Sequence, residues 1–252
     1  MDTLKKLRIF NSNTIKILAA IFMCIDHLGL MLYPDVLWLR MIGRVSMPLF
    51  AFAIAEGCRY TRNKWKHFFL LFGLGAICQL AYAVVDPETL YFGILITFSF
   101  STLMIYAMQY AKQCTFEEKK VWWKITLAWL LFFALVAGTY TFCQFFTVDY
   151  KFWGCMLPVF ASIFDFHRIP APRILKNLDV LPLRVLCMAI PMVPMLYAGM
   201  LVHITRYSFL AIPILLLYNG EKGKRNMKYF FYIFYPAHLV LLEGLVILLY
   251  ML

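Results

Sequence analysis

An all-α, polytopic membrane protein of about nine spans is the fold class this sequence predicts. Three observations predict it. Of the 252 residues, 63% are hydrophobic and the mean hydropathy is +0.76, above the roughly 45–50% apolar content of soluble domains. Apolar runs of about 17–25 residues, the length that crosses a hydrocarbon core about 30 Å thick, recur along the chain. Lys and Arg fall on alternate connections between those runs.

The expected spans, in order, are Ile15–Tyr33, Val36–Cys58, Phe68–Val85, Tyr91–Ala111, Trp122–Phe142, Phe152–Phe166, Leu183–Val202, Tyr207–Tyr218 and Tyr229–Leu252. The sixth and eighth are short and read as tilted or re-entrant. The basic N-terminus, Met1 to Arg8, precedes an apolar run long enough to span and without a small-residue cleavage site, so an uncleaved first helix is expected. Five connections, around Lys5–Lys16, Arg59–Lys66, Lys112–Lys124, Arg168–Arg184 and Lys222–Lys228, hold 20 of the 24 basic residues. Loops between them, such as Asp86–Thr89, hold almost none. By the positive-inside rule the N-terminus is cytoplasmic and, with nine spans, the C-terminus lies outside. The net charge of +11 therefore marks topology, and nucleic acid is not an expected partner. With no repeat and no linker, residues 1–252 read as a single transmembrane domain.

Seven cysteines are scattered singly, with no Cys-x-x-Cys and no Cys/His cluster, so neither a disulfide nor a metal centre is expected. The chemistry rests instead on ionisable residues inside apolar runs, where a charge costs about 2.5–3.5 kcal/mol on insertion scales. Asp26 and His27 lie together in the first span. Adjacent on a helix, they point about 100° apart, so each needs a partner from another helix.

Arg44 falls at the same depth on the returning second span, and His238 close to that depth on the last. Pro48 cannot donate to the Arg44 carbonyl, which predicts a bent second span, and Pro236 loosens the backbone beside His238. Histidine, with an unperturbed pKa near neutrality, suits general base work. Arg44 with Asp26 also reads, as the lesser alternative, as an ion pair joining two helices, and His238 as a hydrogen-bonded packing residue. Glu56 sits at the cytoplasmic end of the second span, followed by Arg59, Arg62 and Lys64, a cluster that reads either as topology signal or as a nucleotide site.

Four stretches in order carry a family resemblance: Ile15–Ala20 with Met23-Cys-Ile-Asp-His-Leu-Gly29; Gly43-Arg-Val-Ser-Met-Pro-Leu-Phe-Ala-Phe52 running into Ala55-Glu-Gly57 and Tyr60–Asn63; Tyr218-Asn-Gly-Glu-Lys-Gly223; and Lys228-Tyr-Phe-Phe-Tyr-Ile-Phe-Tyr-Pro-Ala-His-Leu239. Together they resemble the TraX family of bacterial membrane proteins, whose name-giving member is linked to N-terminal acetylation of conjugative pilin. Asp149-Tyr150 resembles a further family element, while Leu95-Ile-Thr-Phe-Ser99 departs from the family pattern.

The resemblance implies a multi-pass protein of the bacterial plasma (inner) membrane that passes an acetyl group from cytosolic acetyl-CoA to a peptide amine, a sugar or a lipid headgroup. In that reading His27 is the general base, and Asp26, Arg44 and His238 complete the catalytic set. The cofactor-binding set is Glu56, Arg59, Arg62, Lys64, Asn219 and Lys222, the CoA phosphates being met by Arg59, Arg62 and Lys64 or by the stretch from Asn219 to Lys222, and no metal takes part. The competing expectations are a proton-coupled transporter, since buried Asp, His and Arg also form proton relays, and an assembly factor whose buried charges fix packing. Beyond acetyl-CoA and the acceptor, the surrounding lipids are the expected partners.

Overall fold

A computed structural model describes residues 8–85, 91–197, 202–224 and 227–251. Among these the fold is all-α apart from two-residue strands. The helices are α1 (Ser12–Met31), α2 (Leu37–Gly43), α3 (Ser46–Tyr60), α4 (Lys64–Val85), α5 (Ile94–Phe116), α6 (Trp122–Phe145), α7 (Lys151–Ala161), α8 (Arg173–Asn177), α9 (Leu181–Tyr197), α10 (Val202–Thr205), α11 (Ala211–Leu216) and α12 (Lys228–Met251). A 3₁₀ turn, Arg206–Leu210, precedes α11. The loop at Asp86–Thr89 lies outside the described residues.

Among the described residues four stretches are long and apolar enough to cross a membrane: Ser12–Met31, Leu37–Tyr60, Ile94–Phe116 and Trp122–Phe145. The expected sixth span is a helix of only 11 residues, Lys151–Ala161. Turns follow it where Ile163 and Phe164 were expected to continue it. The expected eighth span is the 3₁₀ turn and six residues of α11.

By contacts the chain forms two compact units, Met1–Ala53 with Met200–Leu252 and Ile54–Gly199, the division falling within α3. In the first unit, the buried residues of α1, Ile15, Ala19, Ala20, Met23, Asp26 and Gly29, recur every three or four positions, which makes one helical stripe. Ile17, Ile21 and Leu30 lie exposed on its other sides. The Asn11 side chain caps α1 by accepting from the Thr14 N–H at 3.0 Å. The segment before it pairs with the 217–221 loop: Asn219 N–H donates to the Phe10 carbonyl at 2.8 Å and Ser12 N–H to the Glu221 carbonyl at 2.8 Å.

The expected bend at Pro48 is a break into two helices. The turn falls at Arg44 and Val45, whose N–H groups donate to the Arg40 and Ile42 carbonyls. Pro48 becomes the third residue of α3, inside the first turn, where a missing N–H leaves no hydrogen bond unmade.

Tight packing fixes α2 against α1. A Cβ built on Gly43 would lie 2.5 Å from the Asp26 Cα and 2.7 Å from its N, and one on Gly29 would lie 2.7 Å from the Leu39 Cβ. Glycine at both positions lets the two backbones approach. From α3, the Ser46 hydroxyl donates to the Ala19 carbonyl at 2.7 Å.

In the second unit α5 lies against α4, α6 and α7, and α9 packs on α7. Its core includes Met104, Ile105, Cys155 and Val159. Strands Tyr91–Phe92 (β1) and Thr147–Val148 (β2) pair in parallel, and Thr97 on α5 donates to the Asp149 carbonyl at 3.1 Å.

The obstruction at Gly43 is backbone, which cannot rotate away, so Gly43→Ala should lower the melting temperature in detergent by the equivalent of about 1–3 kcal/mol. Gly73→Ala is the matched control, because a Cβ there meets nothing within 4 Å and alanine is about 1 kcal/mol better than glycine in a helix. Equal melting of the two variants would refute the packing argument.

Candidate functional site

The first unit gathers Asp26 and His27 from α1, Arg40 from α2, Arg44 at the α2 end and His238 from α12. Asp26 is shared by two guanidiniums. Arg40 Nε lies 3.2 Å from Asp26 Oδ1 and Arg44 Nη2 lies 3.2 Å from Oδ2, with side-chain exposure of 12–13% for all three groups. Each carboxylate oxygen thus faces its own cation.

Neighbouring His27 turns to a different partner. Its Nδ1 lies 2.9 Å from His238 Nε2, and His238 Nδ1 lies 3.0 Å from the Phe234 carbonyl one turn earlier on α12. The two residues that the helix points apart are therefore served by separate helices: the carboxylate by α2 and its end, the imidazole by α12. Arg40 is not singled out in the sequence because it lies near the start of a long apolar run. Its spacing four residues before Arg44, which places both on one helical face, was the available signal.

A second cluster forms in the other unit. Arg184 Nη1 lies 2.7 Å from Glu56 Oε1. Arg59 Nη1 reaches Asp165 Oδ1 at 2.9 Å and Asp179 Oδ1 at 2.5 Å. Asp179 Oδ2 also accepts from the Phe166 N–H, and Asp165 Oδ1 from the His167 N–H.

Lys112 Nζ donates to the carbonyls of Ser162, Ile163 and Asp165 at 2.9, 2.6 and 3.2 Å, and Arg184 Nε to the Ala161 carbonyl at 3.1 Å. The two cations bond carbonyls at and just beyond the end of α7, among them that of Ser162, which also accepts from the Asp165 N–H. Three carboxylates, of Glu56, Asp165 and Asp179, balance three cations, of Arg59, Lys112 and Arg184.

This cluster bears on two expectations. Lys112 and Arg184 count among the topology charges in the sequence, yet they are only 6% and 4% exposed. Their long stems carry the charge inward to backbone carbonyls. The cluster also takes up Glu56 and Arg59: the Arg59 guanidinium is committed to two carboxylates rather than presented to an incoming phosphate. Arg62 remains exposed, and Lys64 Nζ stands 5.4 Å from the Tyr106 ring centroid. Asn219 Oδ1 accepts from the Glu221 N–H at 2.9 Å, in the loop that pairs with the start of α1, and Lys222 is exposed beside it. Among the described residues no group of three or more His, Cys, Asp or Glu is arranged to hold a metal ion.

Sharing predicts an asymmetry between the partners of Asp26. Asp26→Asn strips both guanidiniums of their carboxylate and should cost about 3–5 kcal/mol, the penalty of an uncompensated buried charge. Arg44→Gln leaves Asp26 with Arg40 and should cost clearly less. Thermal unfolding of the purified variants in detergent checks this, and an equal loss would contradict the sharing.

Comparison with known proteins matches residues 11–246 to the family model described as TraX protein. A probable fimbrial assembly protein FimC, serogroup H1, of Dichelobacter nodosus is 28% identical over 251 residues, covering 92% of this chain and 94% of the relative. An uncharacterized protein of Rickettsia prowazekii (strain Madrid E) is 35% identical over 92 residues, covering 36% of this chain and 35% of that protein. No solved structure matches significantly. The family model spans Asp26, His27, Arg40, Arg44 and His238 alike, and the chain belongs to the TraX protein family.

Proposed function

We propose that this protein is a membrane-embedded acyltransferase that moves an acetyl group from cytosolic acetyl-CoA to an amine or hydroxyl acceptor. The observation that carries the reading is His27 hydrogen-bonded to His238 on the same helix as a carboxylate shared by two arginines. A base needs a partner that orients it, and a thioester carbonyl under attack develops negative charge that fixed cations stabilise. His27 takes the proton of the attacking acceptor. Arg40 and Arg44, held by Asp26, supply the positive field. The acceptor's lone pair bonds to the thioester carbon, the carbon–sulfur bond breaks, and the proton leaves with the CoA sulfur.

Acetyl-CoA enters from the cytoplasm, its phosphates held by exposed basic loops. Asn219 and Lys222 belong to the same compact unit as His27, which favours them; Arg62 and Lys64 are the alternative. With Glu56 and Arg59 drawn into the balanced cluster, their role becomes structural. The family resemblance favours a part in pilus or fimbrial assembly, since the Dichelobacter nodosus relative is described as a probable fimbrial assembly protein. A pilin-like peptide amine therefore stands beside a sugar or lipid headgroup as the acceptor, and an assembly factor without chemistry is the second reading.

His27→Gln keeps the shape of the side chain and removes the base, so release of free thiol from acetyl-CoA, with a panel of amines and sugars as acceptors, should fall by about 10²–10⁴-fold. Acetyl-CoA binding should survive, because the phosphates are held elsewhere. Wild-type turnover in this variant would remove His27 from the chemistry, and the absence of turnover in the native protein would favour the assembly reading.

We propose further that the chain crosses the bacterial plasma (inner) membrane nine times with its N-terminus in the cytoplasm, on the alternation of basic connections. The short helices of the sixth and eighth segments count as crossings in this scheme together with their flanking turns. On a background lacking the native cysteines, Lys119→Cys should react with a membrane-impermeant maleimide only after the cells are opened. Labelling in intact cells would reverse the orientation.

A further inference from the structure

We infer that His238 is a positioning residue that locks His27 into a single tautomer, leaving His27 Nε2 as the bare nitrogen that accepts the proton. The inference deepens the acyltransferase reading and rests on it for the meaning of that proton. The hydrogen-bond chain behind it is geometric.

A carbonyl oxygen can only accept, so His238 Nδ1, 3.0 Å from the Phe234 carbonyl, carries a hydrogen and donates it. A neutral imidazole has one N–H, which makes His238 Nε2 an acceptor. The nitrogen 2.9 Å from it is His27 Nδ1, which must therefore carry the hydrogen of the other ring. His27 Nε2 is left with its lone pair.

Ring geometry agrees. The two imidazole planes differ by 11° and their centroids stand 5.1 Å apart. With a 2.9 Å nitrogen–nitrogen contact, that separation places the rings edge to edge and nearly coplanar, with the N–H directed along the acceptor lone pair. The Phe234 ring stacks on His238 at 5.2 Å and 9°, and Tyr235 meets it edge-on at 5.6 Å, so the second ring is itself held in place.

The charges acting on the pair are Arg40 and Arg44, both felt by His27, and Asp26, which the two arginines share. The carboxylate that orients histidine in a Ser-His-Asp triad is thus bound to arginine here, and a second, neutral imidazole does the orienting. During transfer the acceptor's proton moves onto His27 Nε2 and from there to the departing CoA sulfur. The hydrogen on His27 Nδ1 stays bonded to His238 throughout.

Full-length protein labelled with ¹⁵N-histidine in detergent micelles tests this through the imidazole nitrogen shifts, assigned by comparison with His27→Gln and His238→Gln. The expected native spectrum shows both histidines protonated at Nδ1 and bare at Nε2. His238→Phe keeps the aromatic stack but has no acceptor, so it should release His27 to the other tautomer and lower acetyl-CoA turnover by about 10²-fold. His238→Gln offers a carbonyl oxygen near the lost nitrogen and should restore both the Nδ1–H tautomer and most of the turnover. An Nε2-protonated His27 in the native protein, or a His238→Gln variant as impaired as His238→Phe, would overturn the assignment. If His27→Gln turns over acetyl-CoA at the native rate, the acyltransferase reading falls, while the shifts still decide the tautomer.

Discussion

A single carboxylate held between two guanidiniums is the constraint on which the first unit depends. Largely buried on an apolar helix, Asp26 keeps little solvation of its charge, so cations must offset the loss, and they come from a neighbouring element. Arg40 and Arg44 provide them from α2 and its end. Their backbone comes close enough because Gly29 and Gly43 carry no Cβ at the crossing. The chain turns at Arg44 and Val45, restarts as α3, and is tied back to α1 by Ser46. The helix break, the small residues and the ion cluster are one arrangement seen at three levels.

The two ion clusters differ in what they leave over. In the second unit the carboxylates of Glu56, Asp165 and Asp179 pair with the guanidiniums of Arg59 and Arg184, and Lys112 and Arg184 bond carbonyls at the end of α7. A balanced, internally bonded network is a structural solution: it ties the end of α7 to α5 through Lys112 and to α9 through Arg184. The first unit instead sets two cations around one carboxylate beside an imidazole pair. Such a field favours negative charge arriving or developing nearby.

What the sequence determined by itself was set by local pattern. Hydropathy and run length declared a helical, membrane-type chain, and the buried stripe of α1 follows from three- and four-residue spacing. Asp26 and His27 stood out because ionisable residues are costly in apolar runs, and Arg44 and His238 because rise per residue brings them to a common depth. Four ordered motifs were enough for the family.

Other features were decided only by tertiary structure, because they depend on which side chains meet across helices far apart in sequence. Arg40 became a ligand of Asp26 only when α2 crossed α1 at Gly43. Lys112 and Arg184 read as topology charges in the sequence, whereas their stems reach the carbonyls at the end of α7, and Arg59, which reads as a candidate for phosphate, is met by Asp165 and Asp179, more than a hundred residues away. The role of His238 needed one fact that no linear pattern contains: its Nδ1 faces a carbonyl on its own helix, which leaves Nε2 for His27. Helical periodicity gives the side a residue faces and its depth along the axis, but the partner that makes a buried charge tolerable is chosen by three-dimensional contact.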